Sequence, residues 1–290
     1  MVDQDEIYVG TSGWSYPKGE GTWKGHFYPR GEKDELSYYS RYFRTVEINS
    51  SFYRPPNPAY VANWVRKVPP HFIFSAKLWQ KFTHPRMYEQ ATGSDALISS
   101  VDIKLFKESI EPLQKSGRLG ALLAQFPASF RNVEFNRQTL KAVMKSFAEY
   151  RLAVELRHCS WSDDPQTEKL LVQGNAAWVQ TDEPIFKSSI ARRLPLTSDM
   201  AYFRFHGRNA ENWWSGDNET RYKYLYTDAE IEELAQEVAT ATRQVKLIFA
   251  LFNNHWQGYA PRNAIGMIKS LQQPVKEMIL PQEPIPKDAG

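Results

Sequence analysis

The sequence has a single cysteine, Cys159, in 290 residues, which excludes an intramolecular disulfide. Its six histidines are scattered and no C-x-x-C pair occurs, so the spacing of a structural zinc site is missing as well. No apolar run approaches the ~18 residues that suggest a membrane-spanning helix. The acidic opening MVDQDEIYVG is also unlike a secretory signal. These absences predict a cytoplasmic protein in a reducing setting, with no membrane partner.

An excess of charge of one sign is also missing, because 36 basic and 33 acidic residues leave a net charge of only +3. That balance does not identify a nucleic-acid partner, since dedicated binders usually carry clustered lysine and arginine. Aromatic residues are plentiful instead, at 14% of the chain, and several adjoin polar segments such as ENWWSGDNETRYKYLY. Most of them are expected in the core, and those near polar loops are candidates for stacking on a base or a sugar.

Short apolar segments alternate with amphipathic ones, which is the pattern of a parallel sheet with crossover helices. The predicted strands are 7–10, 45–48, 72–76, 121–125, 152–156, 176–180, 201–205 and 246–252. The predicted helices are 34–43, 58–68, 102–115, 136–149, 163–174 and 228–243, whereas 183–200 has only a weak helical pattern. This pattern favours one α/β domain across 1–290 with a TIM-type (β/α)8 barrel fold, and a doubly wound open sheet is the alternative. The core is expected over about 7–271, with a flexible or draped tail at 280–290.

Polar or glycine-rich residues follow every predicted strand, which is where barrel proteins place their functional loops. Side chains alternate along a strand, so residues two apart share a face. If those faces point into the barrel, one pocket collects the pairs Glu47 and Asn49, Ser75 and Lys77, Glu155 and Arg157, and Arg204 and His206. Isolated buried charges lose several kcal/mol of solvation, so we expect these groups to pair, to bind a ligand, or both.

The ordered motifs GTSGW, VEINSSFY, FSAKLW, LAQFP, VELRH, YFRFHGR and FNN together resemble the YecE-like family, a family of unknown function. The resemblance covers nearly the whole chain, from about Ile7 to Met267. It implies a TIM-barrel fold, in agreement with the pattern of strands and helices, and it implies no particular activity. The fold is similar to that of the endonuclease IV and xylose isomerase group, which is an analogy of fold alone.

Four residues at the strand ends are candidates for catalysis by proton transfer: Glu47, Glu155, Asp182 and His206. Glu47 and Glu155 could act as general acid and base if burial raised the pKa of one of them. Structural alternatives stay open for the carboxylates. Glu155 and Arg157 could close the barrel mouth as an ion pair, Glu47 could cap a strand end, and Asp182 could form a turn.

Basic residues at the same strand ends suit an anionic ligand, because the forked donors of arginine match phosphate and carboxylate. The predicted substrate-binding residues combine these with polar and aromatic neighbours: Lys77, His84, Gln125, Arg157, Arg204, Arg208, Asn253, Trp14 and Trp79. Packing in the core or in a loop is the alternative for each aromatic side chain and for His84.

Three residues also have the chemistry of a divalent metal site, namely Glu155, Asp182 and His206. Arg157 and Arg204 are expected in the same layer, and two guanidinium groups oppose a cation. We therefore assign no metal ligands and no cofactor, and a divalent metal stays a less favoured alternative.

The residues favour an enzyme that acts on a phosphate-bearing substrate, such as a nucleotide or nucleic acid, at the barrel mouth. A phosphoester hydrolase is the favoured class. One alternative is a non-catalytic nucleic-acid-binding module that uses Arg208 and Trp214. Another is a glycoside hydrolase that uses Glu47 and Glu155 as its carboxylate pair. No obligate protein partner is predicted.

Overall fold

Nine parallel strand segments build the sheet in the computed structural model, which describes residues 6–214 and 220–274. The expected tail at 280–290 lies outside the described residues. The segments are β1 Ile7–Ser12, β2 Thr45–Ile48, β3 Ile73–Lys77, β4 Leu119–Gln125, β5 Leu152–Glu155, β6 Ala176–Trp178, β7 Gln180–Asp182, β8 Met200–Phe205 and β9 Leu247–Phe252.

The sheet curls into a nearly closed barrel, in the order β6-β5-β4-β3-β2-β1-β9-β8-β7. Its two outermost segments, β6 and β7, are consecutive in the chain and are separated only by Val179. The Val179 N–H donates to the carbonyl of Val154 at 3.0 Å. The two segments therefore act as one interrupted barrel strand, whose first half pairs with β5 and whose second half pairs with β8. The predicted TIM-type barrel is confirmed, and the open-sheet alternative is wrong.

Ten α-helices lie within the described ranges 6–214 and 220–274: α1 Glu35–Tyr39, α2 Pro58–Lys67, α3 Gln80–Thr83, α4 Pro85–Thr92, α5 Ser100–Lys115, α6 Glu134–Ser146, α7 Cys159–Ser162, α8 Gln166–Gln173, α9 Asp228–Ala241 and α10 Tyr259–Ser270. None of these helices is long and apolar enough to cross a membrane. The chain between β7 and β8 has no helix, so the weak helical pattern at 183–200 was misleading. Pro184 and Pro195 in that segment each lack the N–H that a helix interior needs.

Other helix predictions were wrong in part. The predicted helix at 34–43 shortens to α1, and the one at 163–174 shortens to α8, which begins just after Pro165. The helices α3, α4, α7 and α10 were not predicted. Thr227 is the N-cap of α9, and its hydroxyl accepts from the Glu230 N–H at 3.3 Å.

A packed apolar layer fills the barrel below its carboxyl end. It consists of inward-facing strand residues: Ala121, Leu123, Ala153, Ala177, Val179, Met200, Tyr202, Phe249 and Leu251. Gly120 makes room for it, because a Cβ at this position would lie 2.4 Å from the Phe249 ring. The Tyr202 hydroxyl is at the top of this layer, where it accepts from Ser75 and donates to Glu47, both at 2.8 Å. The barrel is therefore closed below Glu47, and only the space above can hold a ligand.

Candidate active site

Arg204, near the end of β8, is the centre of a buried polar network. Its Nη2 donates to Glu47 Oε1 at 2.7 Å, its Nε to Glu47 Oε2 at 3.1 Å and its Nη1 to Glu155 Oε2 at 2.5 Å. Further bonds reach Gln125 Oε1 at 3.2 Å and Ser12 Oγ at 3.4 Å. A guanidinium group has five N–H donors, and this network occupies all of them. Arg204 therefore has no donor left for a ligand.

The two carboxylates paired with Arg204 have no exposed surface. Burial alone would raise the pKa of Glu155, but the adjacent guanidinium groups of Arg204 and Arg157 hold it well below its usual range. Glu47 and Glu155 thus lie beneath the pocket rather than in its wall. In this state Glu155 is a fixed negative charge, not a group that exchanges protons near neutral pH.

Arg157 connects this network to the space above. Its Nε donates to Glu155 Oε1 at 2.6 Å, and its Nη2 lies 3.2 Å from His206 Nε2. The Nη1 atom is 3.7 Å from Glu183 Oε2, which is an ion-pair distance and too long for a hydrogen bond. In the part of the chain that the structure describes, the Nη1 hydrogens of Arg157 have no hydrogen-bond acceptor. Arg157 therefore has donors to offer a ligand.

His206 is completely buried, and burial together with the charge of Arg157 lowers its pKa to about 3. His206 Nε2 lies near both Arg157 Nη2 and Glu155 Oε1, at 3.2 and 3.5 Å, so the tautomer of the neutral ring decides whether Nε2 accepts from Arg157 or donates to Glu155. Nδ1 faces the side-chain amide of Asn253 at 3.0 Å. His206 is thus a neutral hydrogen-bonding link and is not charged at neutral pH.

A pocket of about 680 Å³ opens above the network. Seven of the predicted site residues line it: Trp14, Lys77, His84, Gln125, Arg157, Arg204 and Asn253. Aromatic side chains form much of the remaining wall, among them Tyr16, Phe52, Tyr53, Trp213, Trp214 and Tyr222. The volume is sufficient for a small organic ligand, and the wall offers rings for stacking.

Lys77, the last residue of β3, projects into this pocket. Its Nζ lies 4.0 Å from the centre of the Phe52 ring. The Nζ itself forms no hydrogen bond and no ion pair with any residue in the described ranges. Burial, and next the charge of Arg204, lower the pKa of Lys77 to about 7. The amine is therefore present in both protonation states near neutral pH.

Glu183 is the residue that the sequence reasoning missed. It lines the pocket, and its Oε2 is buried with no hydrogen-bond partner among the described residues. Burial raises the pKa of Glu183 to about 7, against the lowering effect of Arg157. Alternation along the strand could have identified it, because Val179 faces the barrel interior and Glu183 lies four residues later on the same face.

Asp182, predicted instead, points away from the pocket. It pairs in register with Phe205, which packs in the layer between sheet and helices. Arg208 binds Asp182 through Nε at 3.0 Å and Nη2 at 2.8 Å, and reaches Glu230 Oε1 at 3.0 Å. The Tyr226 hydroxyl also donates to Asp182 at 2.7 Å. Asp182 and Arg208 therefore fasten β7 to the start of α9, away from the pocket.

Two further predicted site residues, Trp79 and His84, lie in different places, one outside the pocket and one in its wall. Trp79 lies outside the pocket, where its ring packs edge-on against Phe82 and Tyr88. His84 lines the pocket, and burial lowers its pKa to about 3. Its Nδ1 lies 2.9 Å from the Thr83 hydroxyl. His84 is thus a neutral group at physiological pH.

Metal ligation by Glu155, Asp182 and His206 has no geometric basis. Asp182 faces outward, and the other two residues contact arginine side chains. Within residues 6–214 and 220–274, no group of three or more histidine, cysteine, aspartate or glutamate side chains is arranged to hold a metal ion.

Together the fold and the site define an α/β-barrel protein with a polar pocket at the carboxyl ends of its strands. A family model described as "Protein of unknown function DUF72" matches residues 8–289. The chain therefore belongs to the DUF72 family. The narrower YecE-like likeness stays a resemblance of motifs.

Known relatives agree with this assignment. The UPF0759 protein YunF of Bacillus subtilis (strain 168) is 30% identical over 277 residues, which are 91% of this chain and 94% of the relative. A DUF72 family crystal structure from Thermotoga maritima MSB8 is 38% identical, with a TM-score of 0.80, and the match covers 92% of this chain and 99% of that one. Another, from Enterococcus faecalis V583, is 29% identical with a TM-score of 0.81, covering 94% and 98%. These similarities support the barrel and identify no reaction.

Proposed function

We propose that the pocket is the active site of an enzyme whose substrate carries a phosphate group, such as a nucleotide. The observation that carries this proposal is Arg157, which faces the pocket with unused donors on Nη1. Arg204 and Arg157 balance Glu47 and Glu155 in charge. A phosphate can therefore be held by the Nη1 donors of Arg157 without competing for the donors of Arg204.

Arg221 supplies a second cation for such a ligand. It lines the pocket, and its buried Nε has no hydrogen-bond partner within the described parts of the chain. Asn253 also lines the pocket, and although its amide nitrogen lies 3.0 Å from His206 Nδ1, the NH2 group has a second hydrogen to offer as a neutral donor. Arginine forks and amide donors in a partly enclosed site are a suitable combination for phosphate oxygens.

Glu183 is the proton carrier in this proposal. General acid–base catalysis is most efficient when the catalytic pKa lies near the working pH, and burial raises the pKa of Glu183 to about 7. Its unbonded Oε2 is in the pocket wall, 3.7 Å from Arg157 Nη1. The arginine that holds the anion and the acid that moves the proton are therefore neighbours. This role replaces the acid–base pair of Glu47 and Glu155 expected from the sequence.

The other functions considered from the sequence have less support. A glycoside hydrolase built on Glu47 and Glu155 needs carboxylates that reach a sugar, and both are completely buried on Arg204. A nucleic-acid-binding surface built on Arg208 needs a free cation, and Arg208 is bound to Asp182 and Glu230. A small phosphorylated substrate fits the enclosed pocket better than a duplex does. A cytoplasmic setting belongs to the same proposal, supported by the lone cysteine.

Binding of phosphate compounds to Arg157 variants tests the proposal. Inorganic phosphate and a panel of nucleotides are titrated at pH 6.5 and followed by calorimetry and ³¹P NMR. We expect Arg157→Met to weaken binding at least about tenfold, because charged hydrogen bonds contribute roughly 1.5–3 kcal/mol. Arg157→Lys keeps the charge beside Glu155 and serves as a folded comparison. Arg193→Met is the matched control, since Arg193 is exposed and does not line the pocket.

Turnover separates binding from catalysis. For any phosphorylated compound that is converted, we expect Glu183→Gln to bind about as tightly as the wild type and to lose about 10²- to 10⁴-fold in rate. If Arg157→Met binds the same compounds as tightly as Arg193→Met does, the anion site is elsewhere and the proposal is wrong. A Glu183→Gln protein with unchanged turnover would remove Glu183 from the mechanism.

A further inference from the structure

Lys77 differs from several other lysines by lacking an anionic partner. Lys67 pairs with Asp34 at 3.0 Å, and Lys81 pairs with Asp102 at 2.9 Å. Lys77 is directed into the pocket, and in the described part of the chain no carboxylate lies within ion-pair distance of its Nζ. A cation that only stabilised the fold would be expected to have a partner at such a position.

The carboxylates near Lys77 are already engaged. Glu47 and Glu155 both direct oxygens to Arg204, at 2.7 and 2.5 Å. The positive guanidinium groups of Arg204 and Arg157 also act on Lys77 and disfavour a third positive charge. On another side its Nζ faces the ring of Phe52 at 4.0 Å, a cation–π contact that by itself favours the ammonium form. Burial and the two guanidinium groups outweigh this contact and the pull of the carboxylates, and they favour an amine with a free lone pair, as in lysine nucleophiles that are desolvated beside another cation.

We propose that Lys77 is a nucleophile that forms an imine with an aldehyde or ketone carbonyl of the substrate. This inference rests on the proposed function for the other end of the substrate, whose phosphate is held by Arg157. The substrate class is then a small phosphorylated carbonyl compound. A pocket of about 680 Å³ accommodates such a molecule.

The step balances without an oxidant or a reductant. The Nζ lone pair attacks the carbonyl carbon and forms a C–N bond, while the carbonyl π pair moves to oxygen and takes a proton from Glu183. The added nitrogen returns a proton to the Glu183 carboxylate. A second protonation of the hydroxyl by Glu183 breaks the C–O bond and releases water. The nitrogen lone pair then completes a C=N bond, so amine, carbonyl and one proton give an iminium ion and water.

Reductive trapping tests this inference. Wild-type protein is incubated at pH 7 with glyceraldehyde 3-phosphate or with glyceraldehyde in the presence of cyanoborohydride, and each lysine adduct is quantified by peptide mass spectrometry. A lysine of ordinary pKa is only about 0.04% unprotonated at pH 7, whereas Lys77 is about half unprotonated. A less basic amine is also a weaker nucleophile, which offsets part of the gain that Lys77 has from its larger unprotonated fraction. We still expect labelling of Lys77 to be at least about tenfold faster than that of Lys104, which is exposed.

Variants define the role of the pocket in this reaction. Lys77→Arg should abolish the pocket adduct while keeping the fold, as judged by circular dichroism and unfolding. Glu183→Gln should slow labelling at Lys77 and leave Lys104 unchanged. Arg157→Met should reduce the preference for the phosphorylated probe. The labelling rate of Lys77 should reach half its maximum near pH 7, against a continuous rise with pH at Lys104.

The two probes separate this inference from the proposed function. Fast labelling of Lys77 with a clear preference for glyceraldehyde 3-phosphate supports both. Equal labelling by both probes supports the nucleophile and overturns the phosphate site. If phosphate compounds bind at Arg157 but Lys77 is labelled no faster than Lys104, the imine inference is wrong and the proposed function stands.

Discussion

Replacement of Arg204 with methionine should destabilise the protein severely, because it removes the common partner of two buried carboxylates. Arg204 is 1% exposed, and Glu47 and Glu155 have no exposed surface. Methionine fills much of the same volume but offers no hydrogen bond. The variant therefore leaves negative charge in a place that water does not reach.

The magnitude follows from what each carboxylate retains. Removing one partner of a buried ion pair costs about 3–5 kcal/mol. Glu155 keeps its bond from Arg157 at 2.6 Å, and Glu47 keeps the Tyr202 hydroxyl at 2.8 Å. Because both retain a donor, we expect a total loss of about 4 kcal/mol rather than the sum of two broken pairs. That is a large part of the 5–15 kcal/mol that stabilises a typical native protein.

Urea unfolding at several pH values measures this loss. The isolated carboxylates should bind protons more readily in the folded variant, so its stability should fall as pH rises and the deficit should be larger at pH 8 than at pH 5. A second replacement, Glu47→Gln, should restore about 1–2 kcal/mol at pH 8, since it removes one unpaired charge. Arg204→Lys keeps one positive charge and provides a folded comparison. A loss below about 1 kcal/mol, or one independent of pH, would refute the buried-hub interpretation.

Two further predictions concern Glu183 and Gly207. The pKa of Glu183 is raised from 4.5 to about 7, so wild-type stability should fall as pH rises through this interval, and Glu183→Gln should be about 3 kcal/mol more stable than wild type above pH 7. Parallel urea titrations at pH 4.5 and 8 measure the difference, and equal values at both would contradict the burial of this charge. Gly207 has φ +89° and a new Cβ would lie 2.7 Å from Tyr224 Cβ, whereas Gly93 at φ +67° has open space. Thermal unfolding should therefore show a larger loss for Gly207→Ala, about 2–4 kcal/mol, than for Gly93→Ala, about 1–2 kcal/mol, and equal losses would exclude the clash.

Much of the barrel was predictable because strands carry a local signal. Apolar runs and their polar ends identified all the barrel strands, and alternation placed Glu47, Lys77 and Arg204 on the inner face. The interruption at Val179 was not predictable, since it depends on pairing with two different neighbours. Helix α10 was missed because Pro261 and Gly266 weaken its local helical signal.

Roles within the site were harder to predict, because they depend on which partner each side chain reaches. Sequence alone treated Arg157 and Arg204 as equivalent anion clamps. In the structure Arg204 uses all its donors on Glu47, Glu155, Gln125 and Ser12, and Arg157 does not use all of its own. The difference comes from position, since Arg204 lies within β8 whereas Arg157 lies beyond the end of β5 and reaches the pocket.

The ionisable groups of the site thus lie in two layers, which differ in whether their charge changes near neutral pH. In the lower one, Glu155 is held ionised by Arg204 and Arg157, so its charge does not vary with pH or ligand near neutrality. In the upper layer, Lys77 is positive when protonated and Glu183 is negative when deprotonated, and both have a pKa of about 7. Groups with matched pKa values exchange protons at little free-energy cost. A phosphate beside Lys77 favours its ammonium form, whereas a carbonyl consumes the neutral amine, so the chemistry of the ligand decides which group holds the proton.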